Sequence, residues 1–265
     1  MAWTLFSRTL YQRRTALLWY SMGLITYSAF IVWYYPFMRT SGIQQYLKSF
    51  PKELVEAFAG SSVSLTSVGG FLATEYLGLV WVAIVAAAVI SFATKSLSSE
   101  VAGGTMELVL SQPVPRTLLV VVRWLAMAVY TAVLLVSTTL PIYLTALWRD
   151  VTVDGRGLVL VTLVGFLLVM AIGGVAYALS ALFRESGRPA GIIAGLLVAM
   201  WLLSFMAANL EWAKALNPIN LFHYWEPARM LDKATVSASA WIVYGVLVLL
   251  GPVVAAVIFS RRDVG

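Results

Sequence analysis

The feature that most constrains this chain is a set of long intervals without any Asp, Glu, Lys or Arg. Seven such intervals occur, at residues 15–38, 57–74, 76–94, 124–148, 157–183, 189–210 and 234–260. A helix needs about 20 apolar residues to cross a hydrocarbon layer about 30 Å thick. Six intervals consist mainly of Leu, Val, Ile, Ala and aromatic residues, whereas the second is rich in Ser, Thr and Gly. The sequence therefore predicts an all-α integral membrane protein with six transmembrane helices.

The six predicted spans belong to a single transmembrane domain that covers residues 1–265. We place them at about residues 15–38, 76–97, 118–148, 157–183, 189–210 and 236–260. Six spans leave both termini on one side, which carries ten basic and four acidic residues, whereas the other side carries eight of each. The excess of positive charge predicts that both termini are cytoplasmic. Before the first span, Trp3, Phe6 and Leu10 share one helical face, which predicts an interfacial helix over residues 1–14.

The composition argues against a membrane-embedded enzyme, because enzymes need acids, histidines or nucleophile–base pairs at the site of reaction. The six spans contain no Asp, Glu or His. The chain has no cysteine and one histidine, His223, so we expect no metal site and no catalytic residues. Only 11% of the residues are charged, and the net charge of +6 comes from clusters at the ends of apolar runs. This placement indicates membrane topology rather than a nucleic-acid partner.

The connection between the second and third spans, residues 98–116, contains signals for local structure. Ser98 or Ser99 can cap the start of a helix, and Gly103 and Gly104 allow a tight turn. Thr105 can cap a second short helix, which the prolines before span three would end. We interpret this segment as a compact docking element that faces the cytoplasm.

The same segment resembles a known family. Its sequence, SSEVAGGTMELVLSQPVPRT, is similar to the cytoplasmic segment of permease subunits of ATP-binding-cassette exporters of the type-2 export class. The matching residues are Gly104, Thr105, Glu107, Leu108, Leu110, Ser111, Pro113, Val114 and Arg116. The residues around Asn217–Pro218 resemble the last outer loop of the family, and Phe259–Asp263 resemble the end of its sixth span.

The resemblance implies that residues 98–116 bind in a cleft of a separate nucleotide-binding subunit. We call these residues the coupling segment. Glu100, Glu107 and Arg116 would then make polar contacts to that partner, while Leu108 and Leu110 would fill its cleft. This chain has no G-x-x-x-x-G-K-[ST] loop, so ATP and Mg are expected in the partner and no cofactor is expected here. Further expected partners are a second permease subunit, identical or related, and membrane lipids, in a multi-pass protein of the cell's plasma or inner membrane.

The sequence contains fewer signals for the residues that line a translocation pathway than for the coupling segment. In such exporters spans one, two and five often line the route, which implies Met22, Phe30, Trp201 and Phe205 as possible lining residues. Glu75 opens the second predicted span, where it could face the pathway or cap the helix at the membrane interface.

Small residues on two spans leave two interpretations open. Gly191 and Gly195 form a G-x-x-x-G in span five, and span four carries Gly173 and Gly174. Such residues allow close helix approach, either at a dimer interface or pathway wall, or inside one subunit.

The function that these features favour is an ATP-driven exporter permease with a hydrophobic or amphipathic cargo, such as a drug, lipid or peptide. The alternative is an ion channel or carrier that is not driven by ATP. A carrier usually needs an ionisable group in mid-membrane or an internal repeat, and the sequence has neither.

Overall fold

The computed structural model describes residues 2–40, 67–102, 115–183, 187–207 and 210–261, and within these ranges every regular element is helical. The long helices are α1 (Ala2–Thr40), α3 (Val80–Ala102), α4 (Arg116–Trp148), α5 (Gly155–Leu182), α6 (Gly187–Ala207) and α9 (Ala238–Arg261). The short ones are α2 (Val68–Leu72), a π-helical turn (Ala73–Leu77), α7 (Glu211–Ala215), two 3-10 turns (Asn217–Ile219 and Leu221–Tyr224) and α8 (Pro227–Lys233).

Five of the described helices, α1, α4, α5, α6 and α9, are long and apolar enough to cross a membrane. The sixth span is a bent pair in which Val68–Leu77 meets Val80–Lys95 at an angle of 45°. The prediction of an all-α membrane fold is confirmed, with six spans when the bent pair counts as one. The bend itself was not predicted, because the Ser- and Gly-rich residues before position 76 were not expected to belong to a span.

The first helix also differs from its prediction. Helix α1 runs without interruption from Ala2 to Thr40, so residue 14 is not a helix boundary. Its 39 residues correspond to a length of about 58 Å at 1.5 Å per residue, well beyond the hydrocarbon thickness. Phe6 and Leu10 pack against the core of the protein. The apolar face of residues 2–14 is therefore at least partly used for contact with the other helices.

Helix α5 lies at the centre of the fold, where it packs against α3, α4, α8 and α9. It can do so because it is lined with small residues. A Cβ atom added at Gly173 would meet Val89 of α3 and Met127 of α4, and Gly174 lies against the backbone of Gly251 in α9. The glycines of span four thus allow packing inside one subunit, which settles one of the two alternatives left open by the sequence.

The peripheral helices are far less buried than the central ones. In α4 and α5, 56% and 61% of the residues in the most apolar window are buried, compared with 11% in α6 and 22% in both α1 and α9. An apolar face that is uncovered in a single subunit is available to lipid or to another protein. The uncovered faces of α1, α6 and α9 therefore hold the candidates for contacts outside the subunit.

Candidate functional site

Most of the coupling segment lies outside the described residues. Gly103, Gly104, Thr105, Glu107, Leu108, Leu110, Ser111 and Pro113 all fall there. Glu100 belongs to the last turn of α3, and Arg116 is the first residue of α4. Helix α3 passes Ser98 and Ser99 without a break, so the helix start predicted at these serines is wrong. The docking role of the segment stays a prediction.

The two helices that border the coupling segment are anchored to the central helix. The Tyr177 hydroxyl of α5 donates a hydrogen bond to the carbonyl of Val120 in α4, with an O···O distance of 3.1 Å. The Ser180 hydroxyl, one turn further along α5, donates to the carbonyl of Thr94 in α3 at 3.2 Å. All four residues are at most 2% exposed. The ends of α3 and α4 are therefore tied to the same part of α5.

Arg123 lies in this region. In the sequence it is one of the ten basic residues on the side of the termini, which predict the orientation of the chain in the membrane. Its side chain is 6% exposed, and no other charged side chain in the described part of the chain is buried to this extent. It stands between Val122 and Trp124 in an otherwise apolar run. Buried arginines are rare unless they are paired, so this pattern could have marked the residue for attention.

The five predicted pathway residues lie on three elements, α1, the π-helical turn and α6. Met22 and Phe30 are 60% and 51% exposed on α1. On α6, Phe205 is 37% exposed and Trp201 is half-buried. Helix α3 packs against both α1 and α6, so these two helices flank it. The candidates thus lie on the peripheral helices of the subunit and on the bent span between them.

Glu75 does not cap a helix, which corrects one of the two interpretations of this residue. The cap of α2 is Ser67, whose hydroxyl accepts a hydrogen bond from the backbone N–H of Gly70 at 2.9 Å. Glu75 lies further along, inside the π-helical turn, and its side chain is exposed. Within the described ranges no ion pair or side-chain hydrogen bond to its carboxylate is found. Its negative charge is therefore open to solvent, lipid headgroups or a ligand.

The outer end of α1 carries a row of aromatic side chains, in which Phe30 and Phe37 are exposed and Tyr34 between them is half-buried. The rings of Phe30 and Tyr34 are nearly parallel, with centroids 5.9 Å apart, and Phe37 continues the row 5.7 Å from Tyr34. Trp33 lies beside the row, under the guanidinium of Arg149 at 5.6 Å. Tyr35, in contrast, is buried against Phe71 of α2. The structure thus separates the side chains at this end of α1 into an outward-facing group and the core residue Tyr35.

The glycines of span five are in a different environment from those of span four. A Cβ atom added at Gly191 or Gly195 would find nothing within 4 Å. Since only Pro189, Ile193 and Ala207 of α6 are buried, the G-x-x-x-G does not serve packing inside the subunit. Close approach at these glycines would require a partner other than the described part of this subunit.

On the side opposite to both termini, residues 210–237 form an outer segment that is bound to several spans. Asn220 is fully buried, and its amide nitrogen donates to the Met200 carbonyl at 3.0 Å and to the Ser204 hydroxyl at 2.8 Å, both in α6. Tyr244 of α9 donates to the carbonyl of Leu221 at 2.7 Å. The short helices of this segment thus reach between α6 and α9.

The outer segment also contacts the bend in span two. The indole N–H of Trp225 donates to the carbonyl of Leu77, the last residue of the π-helical turn, at 2.9 Å. The ring of Trp225 stacks on Trp81 with centroids 5.4 Å apart, and the indole N–H of Trp81 donates to Thr138 in α4 at 2.9 Å. Gly165 of α5 makes room for both rings, because a Cβ there would lie 3.0 Å from Trp81 and 3.2 Å from Trp225.

A second contact joins the outer segment to the start of the bent span. Asp232 of α8 accepts hydrogen bonds from the Ser67 hydroxyl at 2.6 Å and from the backbone N–H of Gly69 at 3.2 Å. Helix α8 also lies against the backbone of Gly157 at the start of α5, where a Cβ would be 2.5 Å from the Met230 carbonyl. A cavity of about 280 Å³ adjoins this contact, with Tyr35, Asp154 and Leu72 in its lining.

Residues 2–264 match the family model described as ABC-2 family transporter protein. No curated protein matches the chain significantly.

Proposed function

Because the chain belongs to the ABC-2 family of transporter proteins, we propose that it is the permease subunit of an ATP-driven exporter with a hydrophobic or amphipathic cargo. The observation that carries this proposal is the family match over residues 2–264, which makes the chain the transmembrane component of an ABC transporter. Such a component associates with an ATP-binding-cassette ATPase, where ATP and Mg would bind. The direction of transport and the nature of the cargo are the parts that go beyond the match.

We propose that the coupling segment binds the ATPase subunits and transmits their conformational change to the spans. The anchoring of the bordering helices supports this role. Tyr177 and Ser180 tie α4 and α3 to the central helix α5, so a displacement of residues 103–114 would act on three spans together. Hydrogen bonds between buried groups are costly to break, and we therefore expect these three ends to move as a unit.

A second permease subunit is proposed to pack on α6. The support is the open G-x-x-x-G of Gly191 and Gly195 on the least buried span. Small residues at this spacing allow two helix backbones to approach closely in a membrane. In this arrangement Phe205 and Trp201 of α6, and Met22 and Phe30 of α1, would lie near the boundary between the subunits, where a pathway for an apolar cargo could form.

The decisive experiment is co-purification of the chain with its ATPase partner, followed by measurement of ATP hydrolysis and cargo transport in proteoliposomes. The test variant is Glu107→Ala combined with Leu108→Ala. We expect it to lose association with the ATPase or cargo-stimulated ATP hydrolysis, while its folding in detergent is unchanged. Gln112→Ala is the matched control, because it lies in the same segment at a position outside the family pattern.

Two outcomes would contradict the proposal. If the double variant binds and stimulates the ATPase as the wild-type chain does, the coupling segment does not dock as proposed. If cargo or ion flux across the vesicle membrane persists without any ATPase or ATP, the alternative of an ion channel or carrier replaces the exporter.

A further inference from the structure

Helix α1 extends beyond the hydrocarbon layer at its N-terminal end, where it carries basic and aromatic side chains. The charge-free interval 15–38 is long enough, at 1.5 Å per residue, to cross a hydrocarbon layer about 30 Å thick. Arg14 directly precedes this interval, so it lies close to the boundary between the hydrocarbon and the lipid headgroups. Tyr11 and Arg8 lie about 5 and 9 Å further along the helix axis. Arg14 and Tyr11 are therefore at the depth of the headgroups, and Arg8 is at their aqueous edge.

These three residues form one exposed surface, which we call the basic patch. Arg8, Tyr11 and Arg14 follow each other at a spacing of three, so they are neighbours on the helix surface, and all three are exposed. The guanidinium carbon of Arg14 lies 3.8 Å from the ring centre of Tyr11. Trp19 lies about three turns after Arg8, on the same side of the helix, and is 69% exposed. The patch thus continues into an exposed aromatic ring at the depth of the first hydrocarbon.

The positive charge of the basic patch is not neutralised by acidic residues of α1. Residues 1–40 contain no Asp or Glu. In the described part of the chain, no carboxylate forms an ion pair with Arg8 or Arg14. Arg13 differs from its neighbour Arg14, because it is half-buried and its guanidinium lies 5.9 Å from the ring centre of Phe92 in α3. Of the two adjacent arginines, only Arg14 is therefore directed away from the subunit.

The chemistry of the basic patch fits the phosphate group of a lipid. A guanidinium group is planar and presents several N–H donors, which bind phosphate oxygens through paired hydrogen bonds. Basic clusters next to a span are attracted to anionic phospholipids, and Trp and Tyr are enriched at the same depth. A soluble anion would account only for the arginines. An anionic lipid accounts for the arginines and also for the exposed rings of Tyr11 and Trp19.

We infer that the basic patch is a binding site for one anionic phospholipid of the leaflet on the side of the N-terminus. The guanidinium groups of Arg8 and Arg14 donate to the phosphate oxygens, with Tyr11 between them. The acyl chains run along α1 past Trp19. The inference goes beyond the proposed transport function, because it requires only that the chain is inserted in a membrane.

The test is native mass spectrometry of the purified chain with phosphatidylglycerol and phosphatidylcholine that carry the same acyl chains. We expect the wild-type chain to retain phosphatidylglycerol preferentially. Arg8→Gln combined with Arg14→Gln should lower the ratio of the two retained lipids at least about fivefold, since one basic side chain near an anionic surface contributes roughly fivefold in affinity. Arg149→Gln is the matched control and should leave the ratio nearly unchanged. Arg149 is also exposed and lies over an aromatic ring, that of Trp33, but at the outer end of the spans and next to Asp150.

A second measurement needs only the wild-type chain and therefore decides the inference even where the double variant does not fold. In detergent, phosphatidylglycerol should raise Tm more than phosphatidylcholine does. This difference should shrink when salt is raised from about 0.1 M to about 1 M, because the screening length falls from about 10 Å to about 3 Å.

Three results would overturn the lipid site. They are a lipid ratio that the double variant does not lower, a ratio that Arg149→Gln lowers equally, and a Tm difference that is absent or indifferent to salt. Displacement of phosphatidylglycerol by inorganic phosphate would also overturn it, in favour of a site for a soluble anion. None of these measurements involves an ATPase or transport, so the exporter function and the lipid site can fail separately.

Discussion

Two glycines of α9 offer a test of the packing at the centre of the fold, because the same substitution should have opposite effects. A Cβ atom at Gly251 would lie 2.5 Å from Cα of Gly174 and 2.9 Å from its carbonyl carbon, whereas a Cβ at Gly245 would find nothing within 4 Å. Ordinary contacts begin near 3.4 Å. The obstacle at Gly251 is backbone, so α5 and α9 must separate locally by about 1 Å to accept alanine.

The expected magnitudes follow from two opposing contributions. Alanine in place of glycine within a helix stabilises the folded state by about 0.5–1 kcal/mol, and Gly245→Ala should show this gain. At Gly251 the same gain is opposed by overpacking, which costs about 1–3 kcal/mol. The free energies of unfolding of the two variants should therefore differ by about 1–3 kcal/mol, with Gly251→Ala the less stable.

The assay is thermal unfolding of the purified chain in detergent, followed by intrinsic tryptophan fluorescence, with far-ultraviolet circular dichroism to check helix content. A change of 1 kcal/mol shifts Tm by about 2–4 °C for a chain of this size. Gly251→Ala should thus melt at least about 2 °C below Gly245→Ala. Equal melting temperatures, or a higher Tm for Gly251→Ala, would refute the close crossing of α5 and α9.

Two further predictions concern the surfaces that face away from the core. Replacing both Gly191 and Gly195 with leucine should change Tm of the single subunit by less than about 2 °C, because the surroundings of these glycines are open. The same replacement should abolish a permease dimer, measured by crosslinking in native membranes. A dimer of unchanged abundance would contradict the proposed contact on α6. Glu75→Gln should reduce transport of a cationic amphiphile severalfold more than that of its neutral isostere, because only the charge at this exposed position changes. Equal effects on the two cargoes would remove Glu75 from the pathway.

The sequence was sufficient for the class of protein, whereas the second predicted span corresponds to a bent pair of helices in the structure. A span must satisfy a local condition, about 20 apolar residues in succession, and this condition can be read without knowledge of any neighbour. The family pattern of the coupling segment is likewise contiguous, from Gly104 to Arg116. The same reading failed at Ser98, because a serine that can cap a helix can also lie within one when the surrounding residues continue the helix.

Roles of individual residues depended on partners that are distant in sequence. Spans four and five both carry a pair of glycines, yet Gly174 lies against the backbone of Gly251 while Gly191 faces open space. Tyr34 and Tyr35 are neighbours in sequence, but the half-buried Tyr34 contacts Phe30 and Phe37, whereas Tyr35 is buried against Phe71. A helical turn of 3.6 residues separates adjacent side chains by about 100°, and only the packing of the helices decides which direction is inward.

The sequence by itself thus determined that this chain is an all-α membrane protein of the ABC-2 transporter class, because length, hydropathy and a contiguous motif are local properties. Only the tertiary structure decided three features: the bend in span two, the hydrogen bond from Trp225 to Leu77, and the hydrogen bonds that Asp232 accepts from Ser67 and Gly69. Each of these contacts joins residues almost 150 or more positions apart. Their chemistry is common to many tryptophans and aspartates, and only the folded arrangement of the helices brings these particular ones together.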